Sequence, residues 1–280
     1  MFKSLDLLLH SEARARRYLI EKSWQKKRRF CIRCRSKKVY RLADKRYRCA
    51  RCGYTFQEFA GRWIAELKIS AAQWLWTLKL FELEVSYNRI ADEIGISYPT
   101  VLKAIRLIRY AILQQYLGAK PRSAESVWHG ILVESLGRAP APAGNRGNGL
   151  VFSVEERNGT IDVAPVHNLS RATLLRNNLA MNRLGQVVYV APYEKSRALM
   201  FWGGRRFASR RILSAGRTAA KTGLVEDFLV FTRERFARLP RISEQQFPLY
   251  LMEMKFRYDH RNRHLFDLLA SAIAQLVPSR

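Results

Sequence analysis

Four cysteines carry the most specific chemistry in the chain. They fall in one 22-residue window as two C-x2-C pairs separated by fourteen residues: Cys31, Cys34, Cys49 and Cys52. Each pair forms a tight turn that aims two thiolates at one point, and two such turns joined by a hairpin complete a tetrahedral site. Gly53, directly after the last cysteine, permits the positive φ that such a knuckle often needs. The spacing predicts a structural zinc ribbon. A disulfide pair is disfavoured by the cytosolic setting read below, and two matched pairs are unusual for redox cysteines. With all four positions filled by protein, no open coordination position remains for catalysis. Arg33, Arg35, Lys37, Lys38, Arg41, Lys45, Arg46, Arg48 and Arg51 crowd the same window, so the ribbon is expected to touch DNA as well as fold on its metal.

A second constellation is SYNRIADEIGISYPTVLKAIR, Ser86 to Arg106. Ile90, Ala91 and Ile94 set one helical face, Gly95 permits a tight turn, Ile96 plugs the core and Ser97 caps a second helix. Val101, Leu102 and Ile105 bury that helix. The small Ala91 lets two helices approach closely, and this spacing predicts a helix-turn-helix. Its second helix then presents Tyr98, Pro99, Thr100, Lys103 and Arg106 to a major groove. The preceding apolar stretch with Trp74, Leu75, Leu78 and Phe81 is read as its packing partner, not as a base-stacking surface.

The elements that must hold these residues follow from composition. The chain has 280 residues, 50 Lys+Arg against 23 Asp+Glu, a net charge of +27, and 48% hydrophobic residues. That supplies cores for two or three small domains and argues against disorder as the main state. No apolar run approaches the ~18 residues a membrane span needs, and the N-terminal run is too short and interrupted for a secretory signal. A cytoplasmic protein with a polyanionic partner is expected, and double-stranded DNA fits the charge best. Residues 1–60 hold 18 Lys/Arg and 5 Asp/Glu, while eight Lys/Arg and no carboxylate lie between Lys195 and Val225. Residues 5–30 and 65–116 read as helical, residues 31–56 as short strands. Residues 127–136, 150–155, 160–166 and 186–190 read as strands, and residues 138–149 as a flexible Pro/Gly loop. Helices are expected over 218–239, 244–260 and 264–276. The domain reading is residues 1–60 (helix and ribbon), 61–118 (helix-turn-helix) and 119–280.

Taken in that order, these pieces resemble the zinc-ribbon class of bacterial insertion-sequence transposases. The resemblance runs from about Phe30 to Leu269 and is best at CARCGYTF, QVVYV, VEDF and FPLYLMEMKFRYDHRN. It implies a multidomain α+β protein whose third part is an RNase H-like α/β domain with C-terminal helices. It also implies a nucleoid-associated setting, and partners that include further copies of the chain or other subunits of a transposition complex.

In that family three acidic residues hold Mg²⁺ for strand cleavage. The corresponding positions here are Val133, Ala191 and Glu226, with Glu134, Glu194 and Asp227 nearby, so one of three carboxylates survives. Two-metal phosphoryl transfer needs carboxylate oxygens that Val133 and Ala191 do not offer. Glu134 cannot replace its neighbour, because adjacent strand residues point to opposite faces. Two readings follow: a DNA-binding derivative that has lost strand transfer, and an active enzyme, dependent on Mg²⁺, whose carboxylates are displaced. The first is favoured on chemistry. The basic block 195–225, with Arg205, Arg206, Arg210 and Arg211, is read as a DNA-facing loop. Asp162 is read as a solvated strand residue. His260 and His264, four apart, can meet on a helix face as metal ligands do, but are read as surface or phosphate-contacting residues. His129 and His167 sit in strand-like runs without spaced partners.

Overall fold

The computed structural model describes residues 2–24, 28–117, 150–166, 169, 171–176, 181–184, 187–194, 197–204, 223–239 and 242–277. The chain packs as two units, Met1–Ile112 together with Asn262–Arg280, and Leu113–Arg261.

The first unit opens with α1 (Phe2–Leu9) and α2 (Glu12–Ser23). The one helix expected over residues 5–30 is thus broken at Ser11, whose hydroxyl accepts the Arg14 N–H at the start of α2. A three-stranded antiparallel sheet follows: β1 (Val39–Arg41), β2 (Tyr47–Cys49) and β3 (Thr55–Phe56), in the order β1-β2-β3. Trp24, Cys31, Tyr47, Cys49 and Phe56 form its buried core, so the end of α2 and the ribbon share one hydrophobic cluster.

A 3₁₀ turn at Trp63–Glu66 leads into the segment read as helical, which divides into α3 (Ala71–Glu82), α4 (Tyr87–Ile94) and α5 (Tyr98–Leu117). Ser70 and Gln73 form a capping box at the start of α3. Glu12 adds a carboxylate there, accepting the N–H of Ala71 at 3.0 Å and of Ala72 at 2.9 Å. Helix α9 (Phe266–Ile273) returns from far along the chain to pack on α2 and α3. Its Asp267 accepts from Tyr18 Oη at 2.6 Å and Lys22 Nζ at 2.8 Å. Three further bonds tie residues 274–277 to the turn after the ribbon. Arg62 Nη1 donates to the Ala274 carbonyl, Trp63 N–H to Gln275 and Val277 N–H to Gly61.

In the second unit, β4 (Val151–Arg157), β5 (Thr160–Pro165), β6 (Met181–Leu184), β7 (Val187–Glu194) and β8 (Arg197–Trp202) form one sheet ordered β5-β4-β8-β7-β6. All four described pairings are antiparallel. The register puts Val151, Leu199, Phe201, Val188 and Val190 on one face, where Leu174 of α6 (Arg171–Arg176) joins them. Phe152 points the other way and meets Phe247 at 5.6 Å. That face is covered by α7 (Leu224–Arg238) and α8 (Phe247–Asp259), the latter buried at every residue from Phe247 to Tyr258. Burial on both faces accounts for β4 being buried at every residue from Val151 to Glu155. Strands β6 and β8 were not anticipated. The segment holding β8 looked like the start of a basic loop, yet its first residue, Arg197, bonds Glu155 on β4 at 3.0 Å.

Candidate metal centre and nucleic-acid interface

Both C-x2-C turns are built alike. Arg35 N–H bonds the Cys31 carbonyl at 2.9 Å, and Gly53 N–H bonds the Cys49 carbonyl at 3.0 Å. The residue after each pair is left-handed, Arg35 at φ 60 and Gly53 at φ 68. The second knuckle thus uses the glycine that the sequence suggested, while the first bends an arginine into the same shape. Strand β2 then carries Cys49 into the core beside Cys31, both buried.

The four sulfurs lie within 4.8 Å of one another. Cys31 Sγ is 3.6 Å from Cys52 Sγ, and Cys34 Sγ is 3.6 Å from Cys49 Sγ. These are non-bonded distances, since a disulfide spans ~2.05 Å. A tetrahedron with metal–sulfur arms of ~2.3 Å has edges of ~3.8 Å, so the cluster has the size of a Zn(Cys)₄ site. The N–H of Cys52, with that of Arg51, holds the Cys49 thiol down to about 6. The Tyr54 N–H favours the Cys52 thiolate, but burial and the sulfurs of Cys34, Cys31 and Cys49 push that thiol up to about 11. A bound zinc would be held by all four sulfurs, displace the remaining protons and pin the two knuckles together.

Beside the ribbon's sheet lies a groove of about 530 Å³ lined by Arg28, Arg29, Lys37, Val39, Arg41 and Tyr47. The buried Glu58 accepts from Arg29 Nε and from Tyr47 Oη, each at 3.0 Å. Arg28, Arg29 and Glu58 were missed in the sequence, the arginines because they follow a helical stretch and were read as its tail. Their signal was the unbroken run Lys26–Arg29, separated from the first cysteine by Phe30 alone. Arg46, by contrast, is answered locally, with Nε 2.6 Å from Asp44 Oδ2. That bond holds the Asp44 carboxyl below its ordinary range.

Helices α4 and α5 meet through Gly95, in the left-handed region at φ 65 and ψ 38. Arg109 Nη2 on α5 donates to Tyr87 Oη on α4 at 2.6 Å. Val101, Ala104, Ile105 and Ile108 are buried, while Leu102 is only partly so. At ~100° per residue, Pro99, Lys103 and Arg106 project from the opposite side, and all three are exposed. Tyr98 is 44% exposed and Thr100 half-buried, its Oγ1 2.8 Å from Ser97 Oγ. Trp74, Leu75, Leu78 and Phe81 are buried as read, with Trp74 Nε1 donating to the Ile64 carbonyl.

The other candidate residues are scattered. Glu226 and Asp227 sit exposed in the first turn of α7, and Ala191 lies on β7. Val133, Glu134, His129, His167 and the four arginines Arg205, Arg206, Arg210 and Arg211 lie outside the described residues. Among the described residues the cysteines are the only cluster of three or more metal-ligating side chains. Asp162 faces Arg157 at 3.8 Å rather than open solvent. His260 and His264 do not share a helix face. Helix α8 stops at Asp259, His260 packs edge-on against Phe256 at 4.8 Å, and His264 is exposed beyond the helix end.

Residues 10–55 match the family model of the transposase zinc-ribbon domain, a span that includes α2 and all four cysteines. No curated protein and no solved structure matches the chain. Among the described residues no helix is long and apolar enough to cross a membrane.

Proposed function

We propose that this chain is a DNA-binding protein of transposase descent that grips double-stranded DNA through its ribbon and through α4–α5, and has lost strand cleavage and joining. The observation that carries the reading is the transposase-type ribbon, with its four sulfurs gathered at one point in a region of high positive charge. Thiolate-bound zinc in a closed site is structural, so the ribbon serves binding, not chemistry. The exposed face of Pro99, Lys103 and Arg106, with Tyr98 and Thr100 on its two flanks, supports the helix-turn-helix reading. Arg205, Arg206, Arg210 and Arg211, read in the sequence as part of a DNA-facing basic block, add to the net positive charge of the chain.

Loss of chemistry rests on ligand counting. Glu226 contributes one carboxylate, and Val133 and Ala191 contribute none in the RNase H-like domain that the resemblance implies. Mg²⁺ gives up its waters reluctantly and needs placed oxygens. The test is a nicking assay on the protein's own element ends with Mn²⁺. Binding without nicking is expected, and Val133→Asp with Ala191→Asp together is expected to recover nicking. Nicking by the unmodified chain that Glu226→Gln abolishes would overturn the loss and establish displaced carboxylates.

A further inference from the structure

The ribbon carries cations on both of its faces, and a groove lined by several of them opens on one. Strand register sorts them. Val39 pairs with Cys49 and Arg41 with Tyr47, so these four share a face, with Phe56 opposite Tyr47 on β3. Tyr40, Arg48 and Thr55 form the row on the other side. On the first face, Tyr47, Cys49 and Phe56 sink into the core, and the groove opens beside them.

Four cations from three separate stretches of chain converge on this groove: Arg28 and Arg29 after α2, Lys37 before β1, and Arg41 at the end of β1. One carboxylate, Glu58, stands against them, and Arg29 and Tyr47 occupy it. Arg29 also lies 5.0 Å from the Tyr47 ring centroid, which fixes it as part of the wall. Arg28, Lys37 and Arg41 are exposed and form no ion pair among the described residues. Three like charges gathered around one open cavity repel each other unless an anion sits between them. A small organic ligand would need an apolar floor, and Val39 with the edge of Tyr47 supplies too little of one. A strand of phosphodiesters needs none.

We infer that the groove formed by Arg28, Lys37 and Arg41 seats the sugar–phosphate backbone of double-stranded DNA, and that the face bearing Arg48 does not. This rests on the DNA-binding reading above and adds which side of the ribbon faces the duplex. The contacts position the protein without reading sequence.

The experiment measures the slope of log Kd against log salt for the full chain on a DNA duplex. Each phosphate contact contributes ~0.9 to that slope, so Arg28→Ala/Lys37→Ala/Arg41→Ala is expected to flatten it by about 2–3. Lys38→Ala/Arg48→Ala/Arg51→Ala removes the same charge elsewhere on the ribbon and is expected to change it by less than about 1. Arg28→Lys/Arg41→Lys should hold the wild-type slope. Zinc per chain confirms that each variant retains its ribbon. If the groove triple loses metal, Lys37→Gln alone is read, with an expected fall of about 1. Equal flattening by both triples, or none by the groove triple or by Lys37→Gln, overturns the groove while DNA binding stands. A wild-type chain that fails to bind duplex at low salt overturns the DNA reading itself.

Discussion

The Glu82 carboxylate at the end of α3 accepts the backbone N–H of Leu265 at 2.5 Å, 183 residues further along the chain, and that of Phe266 at 3.1 Å. Its second oxygen receives Lys79 Nζ at 2.7 Å. One side chain thus caps the entry to α9 and closes a three-way contact within the first unit.

Glu82 gives that unit an acid-sensitive joint. Burial alone would raise its carboxyl, but the Lys79 ammonium and the N–H groups of Phe266 and Leu265 outweigh it and hold the group below the usual carboxylate range. A depressed folded value means the stabilisation is in full force above the unfolded value of ~4.3 and is lost as pH falls through the folded one. Glu82→Gln is expected to destabilise by about 1–3 kcal/mol at neutral pH. Thermal melts of both proteins from about pH 7 to pH 3 should show the gap closing. A gap independent of pH would mean the charge contributes nothing.

Removal of one sulfur should dissolve the metal centre as a whole. The purified chain is expected to carry one zinc, and Cys49→Ser to carry less than a tenth of that by elemental analysis. Because Cys31 and Cys49 are core residues as well as ligands, the same change should expose Trp24 and shift its fluorescence. Unaltered stoichiometry in Cys49→Ser would reject the site.

At Gly95 the backbone decides. A methyl group there would meet no atom within 4 Å, so any loss in Gly95→Ala comes from the left-handed φ of 65 alone. The expected loss is about 1–2 kcal/mol, and Gly95→Asn should lose less, because asparagine tolerates that region. Denaturant unfolding of the pair checks the order. Equal losses would mean that the turn relaxes to another shape.

Lys103 separates base reading from phosphate holding. If it reaches a base edge, Lys103→Ala narrows the affinity difference between cognate and unrelated duplex by about 1–3 kcal/mol. If it holds a phosphate, both affinities fall together and the salt slope drops by about 0.9. Titrations on two duplexes at two salt concentrations tell these apart.

The legible parts of the chain were those whose chemistry is local. Two C-x2-C turns and a glycine between two apolar periodicities announce their geometry within a few residues, and the structure places Cys31, Cys34, Cys49, Cys52 and Gly95 as expected. Helix breaks without Gly or Pro were harder. The chain leaves α3 through Glu84, a non-glycine residue at φ 57, which no local pattern betrays. Strand β8 was hidden because Arg197 looked like the start of a basic run, and only Glu155 on a distant strand makes it a sheet residue. The return of α9 to the ribbon-bearing unit depends on Tyr18, Lys22 and Glu82 finding partners some 180–250 residues away, as the pairs Glu82–Leu265 and Tyr18–Asp267 illustrate. Such pairs leave no periodicity behind.

The bonds from residues 274–277 to Gly61, Arg62 and Trp63 also set an order of events during synthesis. Domains ordinarily fold as they leave the ribosome, N-terminal first. Here the ribbon-bearing unit is interrupted by Leu113–Arg261, so its first 112 residues emerge long before the strip that completes it. Until then the Arg62 guanidinium, stacked 4.2 Å over Trp24, has no Ala274 carbonyl to donate to. The inserted unit can close on itself earlier. A chain whose translation stops short of residue 274 therefore carries every cysteine and every cation of the ribbon but not the strap that holds Gly61, Arg62 and Trp63 just behind them.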